Sequence, residues 1–375
     1  MTDAWDYDRR ELTLKTPGKA QLLKFLQAAL KLELTTVPLY LTGMYTLKPG
    51  TNREAFLTMR SVVVEEMLHM TLAANLINAL GGHPVLDDAR YLPSYPGLMP
   101  YGHLDSRAQH GGKTGLLGYS KDALRLFVNI ESPPWDKPAV GNTGWRTIGQ
   151  FYGIISKWLE ELHDADQGSG KLFNGDPAFQ VGTEHFYNSG GEVVEVHDYR
   201  TACTAIGVIV EEGEGLDGGF FTGDDQLFGE ERPEAHYFRF MEILHEHRYG
   251  PYDKVRDIPS GALVDVDWQG AYPIDGFKDV DRKKLSMGTA VRLDAFDLTY
   301  TKLLLQLHKA VNGAPESMKD AVPTMLDLHY QAEEIFRIPR ADVEGLHLHP
   351  SFNVTAQLIK SVREHRPELK PPFEP

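Results

Sequence analysis

Several residue types are too scarce in this chain to support whole classes of function. There is one cysteine, Cys203, in 375 residues. That excludes an internal disulfide framework and a thiolate zinc cluster. No block of lysine and arginine stands out, and the net charge is −15, so nucleic acid and anionic membranes are poor partners. No apolar run reaches the length of a bilayer span, and the opening MTDAWDYDRRELTL has no signal-peptide core. These absences fit a protein of the reducing cytoplasm. No internal repeat of fixed period is visible. Apolar residues, at 42%, are ample for a real core, which excludes global disorder.

What is present is helical periodicity. After Pro17, GKAQLLKFLQAALKLELTTVPLYLTGMY places Leu22, Leu26, Ala29, Leu30, Val37, Tyr40 and Met44 on one face. Pro38 removes a backbone donor and predicts a kink. A turn, TLKPGTN, leads into a second helix over about 52–80, ended by Gly81-Gly82. Two long helices with so short a link pack antiparallel. Further helices are predicted at SKDALRLFVNIES, at 147–166, 199–215 and 234–250, and near 289–312 and 316–336. Residues 83–118, rich in Pro, Gly and Tyr, read as a loop that wraps the bundle or serves as a lid. FQVGTEHFYNSGGEVVEVHD reads as a hairpin. REHRPELKPPFEP reads as a frayed tail. The expected organisation is a bundle with inserted loops over 1–260 and a helical extension, 261–375, packed on it as one compact unit.

The most apolar helix, VVVEEMLHMTLAANLINALGG, carries Glu65, Glu66 and His69 in its middle. An unpaired carboxylate is costly to bury, so something must neutralise it. Glu66 and His69, three apart, point to the same place. Glu33 interrupts the apolar stripe of the first helix. It lies about sixteen residues before the centre of the connecting turn, and Glu66 lies about as far beyond it. The antiparallel pair therefore brings Glu33, Glu66 and His69 level. Single glutamates with Glu-x-x-His on neighbouring helices are the donor set of a buried carboxylate dimetal site. Oxygen and imidazole donors suit iron or manganese. Tyr40 and Glu65 are candidates for a place behind the ligands. For the other half the spacing leaves two options. A symmetric template selects Glu242 and His245. Helices meeting near their linked ends bring Glu211 of EEGEG level with His236.

LELTTVPLYLTGMY, EEMLHMTLAANLINALGG, TIGQFYGII, IVEEGEG and AHYFRFMEI, in that order, resemble the ferritin-like family of iminophenylpyruvate dimer synthases, with LHPSFNV near 348 as a closing motif. The resemblance implies a mainly α, ferritin-like four-helix bundle with long loop insertions and extra C-terminal helices. It also implies a buried metal, iron (one or two ions) or else manganese. By position, Glu33, Glu66 and His69 match the first half of the family's site, and Glu211, Glu214 and His236 the second. This chain has EEGEG where EQGEG is expected, so Glu212 adds a carboxylate that competes as a ligand or stands behind one.

The expected function is a metal-dependent oxidoreductase of small-molecule metabolism. It would use O₂ or peroxide on an amino acid or amino-acid-derived imine, with oxidative coupling as one form of the reaction. The alternatives are a ferroxidase or iron-storage protein and a helical scaffold without catalysis.

Overall fold

In the computed structural model the residues described are 18–98, 113–136, 145–186, 190–215, 219–221, 234–278 and 280–372. Two 27-residue helices, α1 (Lys19–Tyr45) and α2 (Arg53–Ala79), form its spine. Nearly every residue of α1 from Leu22 onward is buried, the pattern of a helix enclosed on all sides. It runs on through Pro38 without interruption. α2 starts after Asn52, whose left-handed backbone (φ 47°) turns the chain back. It ends where Gly81, at φ +67°, donates to Asn78 O and Gly82 donates to Ile77 O.

Four shorter helices cover this spine in two pairs: α3 (Lys121–Ile130), α4 (Ile148–Asp166), α5 (Tyr199–Glu214) and α6 (His236–His245). α4 packs on α5, and α3 on α6. The aromatic contacts show which half each pair covers. Phe25, early in α1, meets Phe151 and Trp158 of α4. Tyr40, late in α1, meets Phe127 of α3 and Phe240 of α6. The C-terminal ends of α3 and α5 and the N-terminal ends of α4 and α6 consequently meet near the middle of the spine. The last two positions of a four-helix bundle are thus each filled by two shorter helices, and the breaks fall at one level.

α7 (Met287–Val311) and α8 (Ala321–Phe336) pack beside this bundle and share its apolar core, and α9 (Ala356–His365) packs on α7 in a small cluster of its own. Asn52 fastens the two parts by accepting from Asp267 N and donating to Asp267 O. Asn78 donates to Val311 O. LHPSFNV acts as a staple: Phe352 packs against Phe296 and Tyr300, and Asn353 bonds both the N–H and the carbonyl of Tyr95. Tyr95 in turn donates to Thr35 O of α1, so the described part of the 83–118 loop is tied down on the bundle. The only regular strands among the described residues are β1 (Gly97–Leu98) and β2 (Lys113–Thr114), an antiparallel pair in that loop.

Two expectations need correction. Among the described residues of FQVGTEHFYNSGGEVVEVHD there is no strand. Side chains take the place of a partner strand: Asn75 bonds Val181 and Val194, and Gln180 bonds Val196 and Asn75, so the backbone is satisfied against α2. The proline-rich tail is not frayed up to residue 372. α9 and the turn Pro367–Leu369 bury Leu369 with Leu305, Ile359 and Val362. Residues 99–112, 137–144 and 373–375 lie outside the described residues, and with them the middle of the wrap and the last two residues of PPWDKP. No helix among the described residues is long and apolar enough to cross a membrane.

Candidate metal centre

At the level where the helices break, acidic and imidazole side chains converge in the interior. Glu33 (α1), Glu66 and His69 (α2), Glu131 (just past α3), Glu212 (α5) and His236 (the first residue of α6) are all buried. They fall into groups whose ligand atoms lie within 4.8 Å of one another: Glu33 with Glu66 and His69, and Glu66 with Glu131 and His236. Glu66 belongs to both. A third group, Glu65 with Glu212 and His236, lies behind them.

Each histidine is held from behind. His69 Nε2–H donates to Glu212 Oε2 (2.7 Å), which leaves Nδ1 facing Glu33 (3.8 Å) and Glu66 (4.0 Å). His236 Nε2–H donates to Glu65 Oε2 (2.6 Å), and its Nδ1 faces Glu66 (3.1 Å) and Glu131 (3.6 Å). A carboxylate accepting from the far nitrogen fixes the tautomer and ring orientation of a metal-binding histidine. The carboxylates are held as well: Tyr152 donates to Glu33 Oε1 (2.7 Å), Thr36 to Glu66 Oε2 (2.7 Å) and Tyr40 to Glu131 Oε1. Glu65 also receives Arg239 in a paired contact, while Glu212 Oε1 is buried without a hydrogen bond.

The electrostatics show a cluster with surplus negative charge. Burial, reinforced by the charge of Glu66, pushes the Glu33 carboxyl up to about 8. Burial also raises Glu131, with Glu66 adding to it, and raises Glu212 against the pull of His69. His69 overcomes its burial through Glu212, Glu66 and Glu33 and reaches about 9. His236 rises well above its ordinary range through Glu131, Glu65 and Glu66, although burial opposes it. Burial would raise Glu65 too, but Arg239 and His236 outweigh it and bring it down to about 2. A bound cation would relieve the same charge.

The residues fit a bound metal. Among the described residues no lysine or arginine pairs with Glu33, Glu66 or Glu131; their charged neighbours are the two histidines. His236 Nδ1 is wholly buried and faces two carboxylates, at 3.1 and 3.6 Å, without a well-directed hydrogen bond to either. A buried orphan nitrogen among oxygens is a costly arrangement unless something binds it. Glu33, Glu66, His69, Glu131 and Glu214 also line a cavity of about 10 Å³, close to the lower limit for one small guest.

Of the remaining expected residues, Glu214 lies beside this cavity, where its Oε1 accepts from Gly149 N (2.9 Å) at the start of α4. Burial pushes it up to about 7. A Cβ at Gly149 would come within 2.1 Å of its Oε2, so only glycine permits this placement. Glu211 is half-buried and belongs to none of the groups. Glu242 accepts from Tyr249 N and pairs with Arg248, closing the end of α6. His245 is half-buried on the same helix, where burial, Lys121 and Arg125 hold its pKa down.

Glu131 is the group that the sequence reading passed over. It follows Leu124 and Phe127 at helical spacing on the buried stripe of α3. A carboxylate at a helix C-terminus opposes the macrodipole. An acid in that place, on an apolar stripe, was the available signal.

Residues 26–245 match a family model described as ferritin-like. The chain is also similar to the crystal structure of a ferritin-like protein from Caulobacter vibrioides. That likeness has a TM-score of 0.60 at 20% identity and covers 90% of this chain and 99% of the other. It speaks to the fold. No curated protein matches the chain.

Proposed function

The chain belongs to the ferritin-like family, and from that premise we propose that it is a metal-dependent oxidoreductase. Its centre would hold two ions, iron or manganese, between Glu33, Glu66, His69, Glu131 and His236, with Glu214 at the cavity as a further donor. The observation that carries this reading is the orphan Nδ1 of buried His236 between Glu66 and Glu131, matched by the Nδ1 of His69 facing Glu33 and Glu66. Oxygen and nitrogen donors with this charge suit a hard or borderline divalent cation. Such a metal supplies the redox equivalents with which O₂ or peroxide oxidises a substrate.

The chain's own residues set the conditions for that chemistry. Tyr152, Thr36 and Tyr40 orient the carboxylates, and Glu212 and Glu65 orient the imidazoles. Apolar neighbours such as Ile148 and Ile209 keep bulk water out. Glu214, poised at about 7 beside the cavity, is suited to hold or release a proton near neutral pH.

For the substrate, the resemblance to iminophenylpyruvate dimer synthases favours an amino acid or an amino-acid-derived imine, with oxidative coupling as one outcome. A cavity of about 10 Å³ is at the lower limit for one small guest and too small for an aromatic compound, so such a substrate would react from outside the inner cavity. The same small volume favours a second reading, ferroxidase activity, in which iron itself is the substrate. Elemental analysis of protein purified without added metal, paired with O₂ uptake, tests both. Two ions per chain with O₂ uptake dependent on an amino-acid-derived substrate supports the first. Uptake with ferrous iron alone supports the second. Metal-free protein with no uptake rejects both.

A further inference from the structure

The inner cavity lies to one side of the bundle. Its lining comes mainly from the first turn of α4 and the last two turns of α5, and none of it comes from α6. Glu33, Glu66 and His69 of the spine close its far wall. Every lining residue is buried except two, Gly149 of α4 and Val210 of α5, which are half-buried. They stand on opposite sides of the seam where α4 packs on α5. Gly149 brings no side chain to that seam, so Val210 is the one lining side chain that reaches solvent among the described residues. On the α3–α6 side, by contrast, Tyr40, Phe127 and Phe240 pack against one another in full burial.

From this one-sided opening we infer that the α4–α5 seam is the route by which a divalent cation enters the centre, and that the Val210 side chain sets the rate of passage. The inference rests on the dimetal reading above. Taking a dication out of water is costly unless protein oxygens replace the lost hydration. Glu214 meets that need just inside the seam, where its carboxylate rests on Gly149 N. Val210 offers no ligand atom, so its bulk acts on the path and not on the bound state. A group of that kind changes entry and exit by the same factor and leaves the equilibrium where it was.

The test is the rate at which chelator-treated protein takes up manganous ion, read from loss of the free-ion paramagnetic resonance signal, with release into excess chelator measured separately. Val210→Trp should slow uptake and release alike by about tenfold, with the number of ions bound and the affinity at equilibrium unchanged. Val210→Ala, which crowds nothing, should speed both. Leu57→Trp, at an exposed position of α2, should leave both at the parent's rates. Unchanged rates in both Val210 variants, equal slowing by Leu57→Trp, or a change of affinity at an unchanged uptake rate overturns the route while leaving the dimetal reading in place. A parent protein that takes up no manganese overturns both.

Discussion

His69 and His236 lie with their rings stacked 5.6 Å apart, each backed by a glutamate and each facing Glu66. Around His69 the backing carboxylate, Glu212, is raised and carries an orphan oxygen. Around His236 the backing carboxylate, Glu65, is held down to about 2 by Arg239 and the ring itself. Among the described residues, no lysine or arginine bonds the carboxylate behind His69. The half around His236 has part of its countercharge built in. Like donor sets thus need not make like sites, because the group behind the ligand decides how much charge is left for the ion.

The largest effect should come from removing what the halves share. Glu66→Ala is expected to abolish binding of both ions while leaving the helical circular dichroism signal intact. Retention of one full equivalent of metal would mean that the halves are independent. Next in size is the built-in countercharge. Arg239→Met leaves Glu65 buried without its cation and should lower the stability of metal-free protein by about 3 kcal/mol, as a shift in denaturant midpoint. Glu212→Gln, which strands no charge, should change it far less. Equal losses would erase the contrast between the halves.

The pH response sharpens the comparison further. Glu33 goes from 4.5 to about 8 and His69 from 6.5 to about 9 on folding. The native chain then binds more protons than the unfolded chain between about pH 5 and 8, so their contribution is present at the acid end and is lost as pH rises. Glu214, raised to about 7, acts in the same direction. Glu65, lowered to about 2, acts only at more acid pH. Metal-free protein should therefore melt a few degrees lower at pH 8 than at pH 5.5 in scanning calorimetry. Loading with metal must displace those protons, so the stabilisation due to metal should grow over the same range. A metal-free melting temperature that rises with pH would contradict the charge balance described. The smallest effect is expected from Glu211→Gln, which should leave metal content and affinity at the parent's values.

The periodicity of α1 and α2, their antiparallel link and the level meeting of Glu33, Glu66 and His69 were all legible in the sequence. Those features depend on local spacing along two long helices. What was not legible depends on where separate helices stop. Glu131 and His236 meet because α3 ends and α6 begins at one height on the spine, which spacing within either helix does not encode. Glu212, expected to compete as a ligand or to stand behind one, stands behind His69: Ala205, Ile209 and Glu212 share the buried stripe of α5, and Glu211 is turned about a quarter of the circumference away. Positional resemblance pointed to Glu211, whereas helical phase points to Glu212. The hairpin expected near residue 190 failed because Asn75 and Gln180 supply hydrogen bonds that a partner strand would otherwise supply.

The most direct measurement is anomalous diffraction at the iron and manganese edges from crystals grown with an excess of either metal. Two peaks are expected, with Glu66 between them and His69 and His236 each directing Nδ1 at one. Maps without peaks in that interior, with Glu33, Glu66, Glu131 and both histidines bonded only to one another, would contradict the account.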